Sequence, residues 1–240
     1  MATHVYGNPC DVVRIQEIAD KYNLKVIYDG AHAFGVKFKE KSIFEFGDIS
    51  ICSTHATKLF HTTEGGFIVT KDEEQYRKMK LMRNFGFKDS TSFQLLGINA
   101  KNSEFHAAMG LVNLRYVDEI IKKRKLLADT YSEKLGTLIN RPTWNKNSLA
   151  INSYYPVVFE NEELLEFCEE LLKKENITPR RYFYPSLSKS LPYVDKVSLP
   201  VADLISCNVL CLPLYFDLAV EDVKLICEVL NKAILSKKSV

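Results

Sequence analysis

Lys58 lies in the stretch Ser53-Thr54-His55-Ala56-Thr57-Lys58-Leu59-Phe60-His61-Thr62-Thr63-Glu64-Gly65-Gly66, between apolar runs Ile49–Cys52 and Phe67–Thr70. Such a loop holds more polar side chains than a plain connection needs. A lysine walled by protein loses hydration, its pKa falls, and free amine exists near neutral pH. A free amine attacks an aldehyde to give a Schiff base, the way lysines hold pyridoxal phosphate. The plain alternative is a surface lysine in a strand-to-strand loop.

Upstream, Asp29-Gly30-Ala31-His32 follows the branched and aromatic run Leu24–Tyr28. That places Asp29 at the carboxyl end of a strand, where open α/β sheets put their ligands. A carboxylate there can pair with a protonated pyridine nitrogen and keep the ring a good electron sink, and His32 can donate to or stack beside it. Alternatively, Asp29 caps the next segment and His32 is a core wall. Ser53, five residues before Lys58, can hydrogen-bond a phosphate, or simply satisfy backbone at a strand end. Glu64-Gly65-Gly66 gives a tight turn that leaves room for close approach.

The elements that must position these groups alternate. Asn8-Pro9 reads as a helix entry, with Asn as cap and Pro at the first helical position, and Ile15, Ile18, Ala19 and Tyr22 recur at helical spacing. His4-Val5-Tyr6-Gly7 reads as the tail of a strand. After the Lys58 loop the pattern predicts an amphipathic helix over 72–84, a polar loop over 86–102, and a helical region from Ser103, its cap, to about Leu135. Residues 142–150 read as a linker. Beyond it the expected order is a strand at 154–159, a helix at 162–174, an extended piece at 177–183, a helix at 200–207, a strand at 209–212 and a closing helix at 220–235. Helix-strand alternation of this kind is how a mostly parallel sheet with covering helices reads.

With 32 Lys+Arg against 30 Asp+Glu, the net charge of +2 argues against a nucleic-acid partner. No apolar run approaches bilayer length and the start is no signal peptide, so the expected location is the cytoplasm, away from membranes. The six cysteines lack finger-like spacing and are read as reduced, mostly buried thiols, with no metal site.

The order strand-Asp-x-x-His, then strand-Ser-x-x-x-x-Lys, closely resembles the DegT/DnrJ/EryC1/StrS family of pyridoxal-phosphate-dependent sugar aminotransferases. Tyr6 to Asp11, Asp29 to Gly35, Ser53 to Lys58, Glu64-Gly65-Gly66, Arg83 to Gly86, Gly97 to Lys101, Arg180 to Pro185 and Leu212-Pro213-Leu214 carry the resemblance. It implies fold type I: an α/β large domain with a mostly parallel sheet, incomplete here (residues 1–140), and a small carboxy-terminal α/β domain (141–240).

It further implies that Lys58 forms the Schiff base with pyridoxal 5'-phosphate and moves the proton, Asp29 holds the pyridinium, His32 sits beside the ring hydroxyl, and Ser53 binds phosphate. Asn99 is implied to reach the phosphate of a neighbouring subunit, hence a homodimer. The implied reaction moves an amino group from glutamate to a nucleotide-linked keto-deoxy sugar, with dTDP-4-keto-6-deoxyglucose and surface polysaccharide (O-antigen) synthesis the expected setting. Thr54, Thr63 and Gly30 depart from the usual pattern. Family members also carry an amino-terminal part before the segment matching residues 1–10, expected to be lacking here, which supplies a phosphate-binding turn, an aromatic ring over the cofactor and further strands. Two other readings stand beside the enzyme: an inactive fragment or split-protein half that binds a partner, and an unrelated α/β binding protein.

Overall fold

The computed structural model describes residues 1–238, which divide into two compact units, 1–120 with 144–153, and 121–143 with 154 onward. In the first unit, β1 (Ala2–Thr3), β2 (Ile27–Asp29), β5 (Ile49–Ser53) and β6 (Gly66–Thr70) form one sheet in the order β1-β2-β5-β6. The first three run parallel, with Thr3 beside Asp29 and Asp29 beside Ile51, while β6 returns antiparallel with Gly66 opposite Ser53. Tyr28, Ser50 and Cys52 are buried on one face of this sheet, beneath an aromatic cluster in which Phe34 stacks on Phe60 at 4.3 Å and Phe44 meets Phe67 edge-on at 5.4 Å.

A second sheet, β4-β3-β7, joins β3 (Lys37–Phe38), β4 (Lys41–Ser42) and β7 (Ser148–Leu149). The segment 142–150 is therefore not simply a linker. Most of it folds back into the first unit, where β7 pairs with β3 across more than a hundred residues.

Three helices complete this unit: α1 (Val12–Tyr22), α2 (Glu73–Met82) and α3 (Glu104–Asn113). The expected entry at Asn8-Pro9 is corrected. The cap of α1 is Asp11, whose carboxylate accepts from the Arg14 amide, and Asn8 instead accepts from the Asn145 backbone at 2.9 Å. A tertiary contact has taken the side chain that the local pattern would spend on a cap. The expected strand tail at 4–7 is also corrected. Tyr6 (φ 57°) and Gly7 (φ 83°) are left-handed and turn the chain through a 3-10 helix at 5–7, a conformation strands do not use. The cap predicted at Ser103 does form on α3, and Asp72, not named from the pattern, caps α2.

The long helix α4 (Val117–Leu135) begins in the first unit and contributes its larger part to the second. The division expected after residue 140 thus differs from the division by compactness, because Leu127, Tyr131 and Leu135 are buried in the second core. There β8 (Tyr155–Val158) and β9 (Val209–Leu212) pair antiparallel, flanked by α5 (Glu162–Lys174), α6 (Leu187–Ser190), α7 (Pro200–Asn208) and α8 (Val220–Lys238). The extended piece expected at 177–183 makes only an isolated bridge, Arg180 to Cys211. Leu165 and Leu172 of α5 and Ile226 and Leu230 of α8 are fully buried in this core, each contributing about 1.5–3 kcal/mol. Tyr131 stacks on Tyr155 at 4.6 Å, and its hydroxyl donates to the Pro213 carbonyl at 2.9 Å, so burying the phenol leaves no orphaned donor. No helix among the described residues is long and apolar enough to cross a membrane.

Candidate functional site

Asp29 and Ser53 stand at the carboxyl ends of neighbouring parallel strands and on the same face. The register pairs Asp29 with Ile51, and Ser53 lies two residues beyond Ile51, roughly 7 Å further along the strand. One Asp29 oxygen accepts from the Ala31 amide at 3.0 Å, which fixes the carboxylate at its strand end. Ser53 Oγ accepts from the His55 amide at 3.3 Å, a local turn that starts the Lys58 loop.

That loop, residues 54–65, is rigidly built. Thr54 and Thr62 are buried, with their hydroxyls 2.7 Å apart. The Thr62 hydroxyl also reaches the Glu64 carbonyl at 2.8 Å, and the Thr54 amide donates to the Gly65 carbonyl. Gly65 (φ 151°) closes the loop where a Cβ would come within 2.5 Å of Thr62 Oγ1 and 2.8 Å of Thr54 Oγ1. Glycine is required there by contact as much as by backbone freedom. Helix α3 braces the outside. Asn113 Nδ2 donates to the His61 carbonyl at 2.9 Å, and a Cβ on Gly110 would lie 2.7 Å from Thr62 Cγ2. Nothing in the sequence spacing marks Asn113 or Gly110 as braces of this loop.

Within the loop Lys58 is half-buried. Burial pushes its amine pKa below the usual lysine value, while the Asp29 carboxylate, and secondarily Cys52, pull it back up. Lys58 and Asp29 are therefore near enough to feel each other's charge. The same holds for His32, whose pKa is lowered to about 4 by burial and by the charge of Lys58, with Asp29 opposing. His32 Nδ1 accepts from the Tyr6 amide at 3.1 Å, so the neutral ring carries its hydrogen on Nε2. Its backbone is clamped as well: Ser153 Oγ donates to the His32 carbonyl at 2.8 Å, and a Cβ on Gly7 would lie 2.8 Å from that same oxygen. Tyr6, Gly7 and Ser153 thus hold His32 from two distant parts of the chain.

Lys58, Asp29 and His32 are brought together electrostatically, and Ser53 shares a strand end and a sheet face with Asp29. Asn99 is different. It is exposed in the polar loop before α3, and its side-chain oxygen accepts from Lys101 Nζ at 2.9 Å rather than from any of the other four.

A buried histidine with a depressed pKa makes folding sensitive to acid. His4 is a second case, lowered to about 4 by burial, stacked on Tyr28 at 4.7 Å, and accepting from the Cys10 amide. Both begin from 6.5 in the unfolded chain, so unfolding binds protons between about 6.5 and 4 and stability falls as pH falls through that window. Urea midpoints should decline steadily from pH 6.5 to 4. His4→Phe, which keeps a ring against Tyr28, should flatten the slope; an unchanged slope would remove His4 from this account.

A carboxylate and a hydroxyl at neighbouring strand ends, a neutral imidazole, and a loop amine with a lowered pKa fit a pyridoxal phosphate group chemically. The amine suits its aldehyde, the carboxylate its ring nitrogen, and the hydroxyl its phosphate.

The sequence profile of the DegT/DnrJ/EryC1/StrS aminotransferase family matches residues 1–231. Among curated relatives, the dTDP-4-amino-4,6-dideoxy-D-glucose transaminase of Shigella dysenteriae is 41% identical over 228 residues, which are 91% of this chain and 62% of the relative. The transaminase of the same name from Escherichia coli is 39% identical with the same coverage of each chain. Among solved structures, DesI in the presence of its TDP-sugar product superposes with a TM-score of 0.89 at 28% identity, over 97% of this chain and 61% of that one. The chain spans about 62% of the length of the curated relatives it matches. A match of this extent removes the reading of an unrelated α/β binding protein.

Proposed function

This chain belongs to the DegT/DnrJ/EryC1/StrS aminotransferase family, and from that premise we propose that it serves a pyridoxal-phosphate-dependent transfer of an amino group from glutamate to C4 of a nucleotide-linked keto-deoxy sugar. The sugar we assign is dTDP-4-keto-6-deoxyglucose, in the cytoplasmic synthesis of surface polysaccharide such as O-antigen. The observation that carries the reading is the placement of Asp29 and Ser53 at the carboxyl ends of neighbouring parallel strands, with the half-buried Lys58 amine within charge range of Asp29. The choice of sugar follows the names of the two relatives at 41% and 39% identity.

Bound pyridoxal phosphate supplies an aldehyde that carries the amino group and a ring that accepts electrons from the bond being broken. With that group bound, Lys58 Nζ would hold its aldehyde and would serve as the base for the proton of the reacting carbon. Its lowered pKa leaves amine free to do both. The Asp29 carboxylate would hold the protonated ring nitrogen. Neutral His32, its orientation fixed from Nδ1, would sit beside the ring, and Ser53 Oγ would donate to the phosphate. Asn99, exposed on its loop, is offered to the phosphate of a second copy in a homodimer.

The test is isotope transfer. With [15N]glutamate, dTDP-4-keto-6-deoxyglucose and pyridoxal phosphate, the 4-amino sugar nucleotide should carry the label. Label remaining in glutamate would leave the chain as the partner-binding fragment and overturn the assignment as an enzyme.

A further inference from the structure

The second sheet of the first unit gathers lysines. Lys37 of β3 pairs with Leu149 of β7, and the amide of Lys39, just beyond β3, donates to the Asn147 carbonyl at 2.9 Å. Along this seam lies a groove of about 310 Å³, walled by Lys37, Lys39 and Lys146 with Glu40, Asn147 and Ser148 beside them. The three lysines are exposed, and no ion pair among the described residues includes any of them. Three lysines against one glutamate leave an excess of +2, as large as the net charge of the whole chain.

Both walls of the groove are held in place. Lys39 (φ 48°) and Glu40 (φ 63°) form the two-residue turn between β3 and β4, and both are left-handed. Asn-Gly is the usual pair in such a turn, because most side chains resist positive φ. Here two long charged side chains occupy it instead, and both line the groove. Strain kept in this way clusters at ligand-binding positions. On the opposite wall Asn145 Oδ1 accepts from the Asn147 amide at 3.1 Å, and Ser148 Oγ donates to the Asn145 carbonyl at 2.7 Å. The Asn145 amide is itself tied to Asn8, so Lys146 rides on a locked turn.

The groove is electrically separate from the Lys58 loop. Beyond burial, the charges that shift His32 and Lys58 are those of Lys58, Asp29 and Cys52, and no lysine of the groove is among them. No aromatic ring lines the groove, so nothing in it stacks on a base.

We infer that this groove is a second anion site, in which Lys37, Lys39 and Lys146 hold a diphosphate group. Lysines meet phosphate as point charges, and several without counter-charge favour an anion carrying more than one charge. The volume lies at the small end for ligand sites, which suits two linked phosphates and excludes an extended polyanion. Free diphosphate and the diphosphate of a nucleotide share this chemistry. The site does not depend on whether the chain transfers amino groups.

The experiment titrates the full chain with inorganic diphosphate, inorganic phosphate and dTDP in low salt, by calorimetry and by amide chemical shifts. Diphosphate should bind one per chain and move the amides of 37–41 and 145–149. Recognition of the phosphates alone predicts that dTDP binds there within about threefold of diphosphate, and inorganic phosphate about 10-fold more weakly. The triple variant Lys37→Gln, Lys39→Gln, Lys146→Gln changes only exposed positions. It should keep its circular dichroism and lose at least about 100-fold in affinity. Glu40→Gln, which removes the one opposing charge, should tighten binding about threefold, and added salt should weaken it. Shifts confined to 53–66, lost in Ser53→Ala and kept in the triple variant, would place the anion at the Lys58 loop and overturn the inference. Failure of diphosphate to bind, or equal binding by the triple variant and the wild type, would overturn it as well.

Discussion

Lys58→Ala is expected to abolish amino transfer, lowering turnover by at least about 10³-fold, because the group lost both anchors the cofactor and moves the proton. The fold should survive. Lys58 has its amide tied to the His55 carbonyl, a bond alanine keeps, while the loop is held by Thr54, Thr62, Gly65 and Asn113. Removing an amine whose charged form is disfavoured by burial should leave the urea midpoint unchanged or slightly higher. Lys58→Arg sharpens the test. It keeps a cation within charge range of Asp29 but supplies no free amine at neutral pH, so it should be as inactive as alanine. Turnover retained in either variant would take Lys58 out of the chemistry.

Asp29→Asn should move two readings in opposite directions. The carboxylate raises the Lys58 pKa, so its loss lowers that pKa further and increases the free amine at a given pH. Capture of pyridoxal phosphate by Lys58 should become faster between pH 7 and 9, with a flatter pH dependence. Amino transfer should nevertheless fall by about 10²- to 10³-fold, since the amide no longer stabilises a proton on the ring nitrogen. The same carboxylate raises His32, so asparagine pushes that imidazole further toward neutrality and adds no new charge. Faster capture with slower turnover is difficult to obtain from a merely structural aspartate. Equal losses in both would assign Asp29 to folding, and an undiminished rate would end its proposed role.

The chemistry-bearing centre of the molecule was legible in the sequence because it is local. Lys58 sits between two apolar runs that do form β5 and β6, and Asp29 does end β2. Helix α5 and strand β9 fall where their patterns place them, the first at 162–174 and the second from an unbroken apolar run.

What escaped is long-range. Asn8 is drawn away from capping by Asn145, and Ser153 reaches the His32 carbonyl across 121 residues. The strands β3, β4 and β7 are two residues each, too short for alternation to register. Left-handed Tyr6 defeats pattern reading because tyrosine seldom takes positive φ. Its amide fixes the tautomer of His32. Candidates such as Asp29 and Lys58 could thus be named from the sequence, while the groups that hold His32 (Tyr6 and Ser153) could be found only in three dimensions.

The most direct test of the central claim is where pyridoxal phosphate becomes attached. The chain would be mixed with limiting cofactor at neutral pH, reduced with borohydride, digested and mapped by mass spectrometry. The account predicts modification concentrated on Lys58, because burial gives it more free amine than a lysine in water, and no comparable labelling elsewhere in Lys58→Ala. Modification spread evenly over the exposed lysines, with Lys58 no more reactive than the rest, would contradict it.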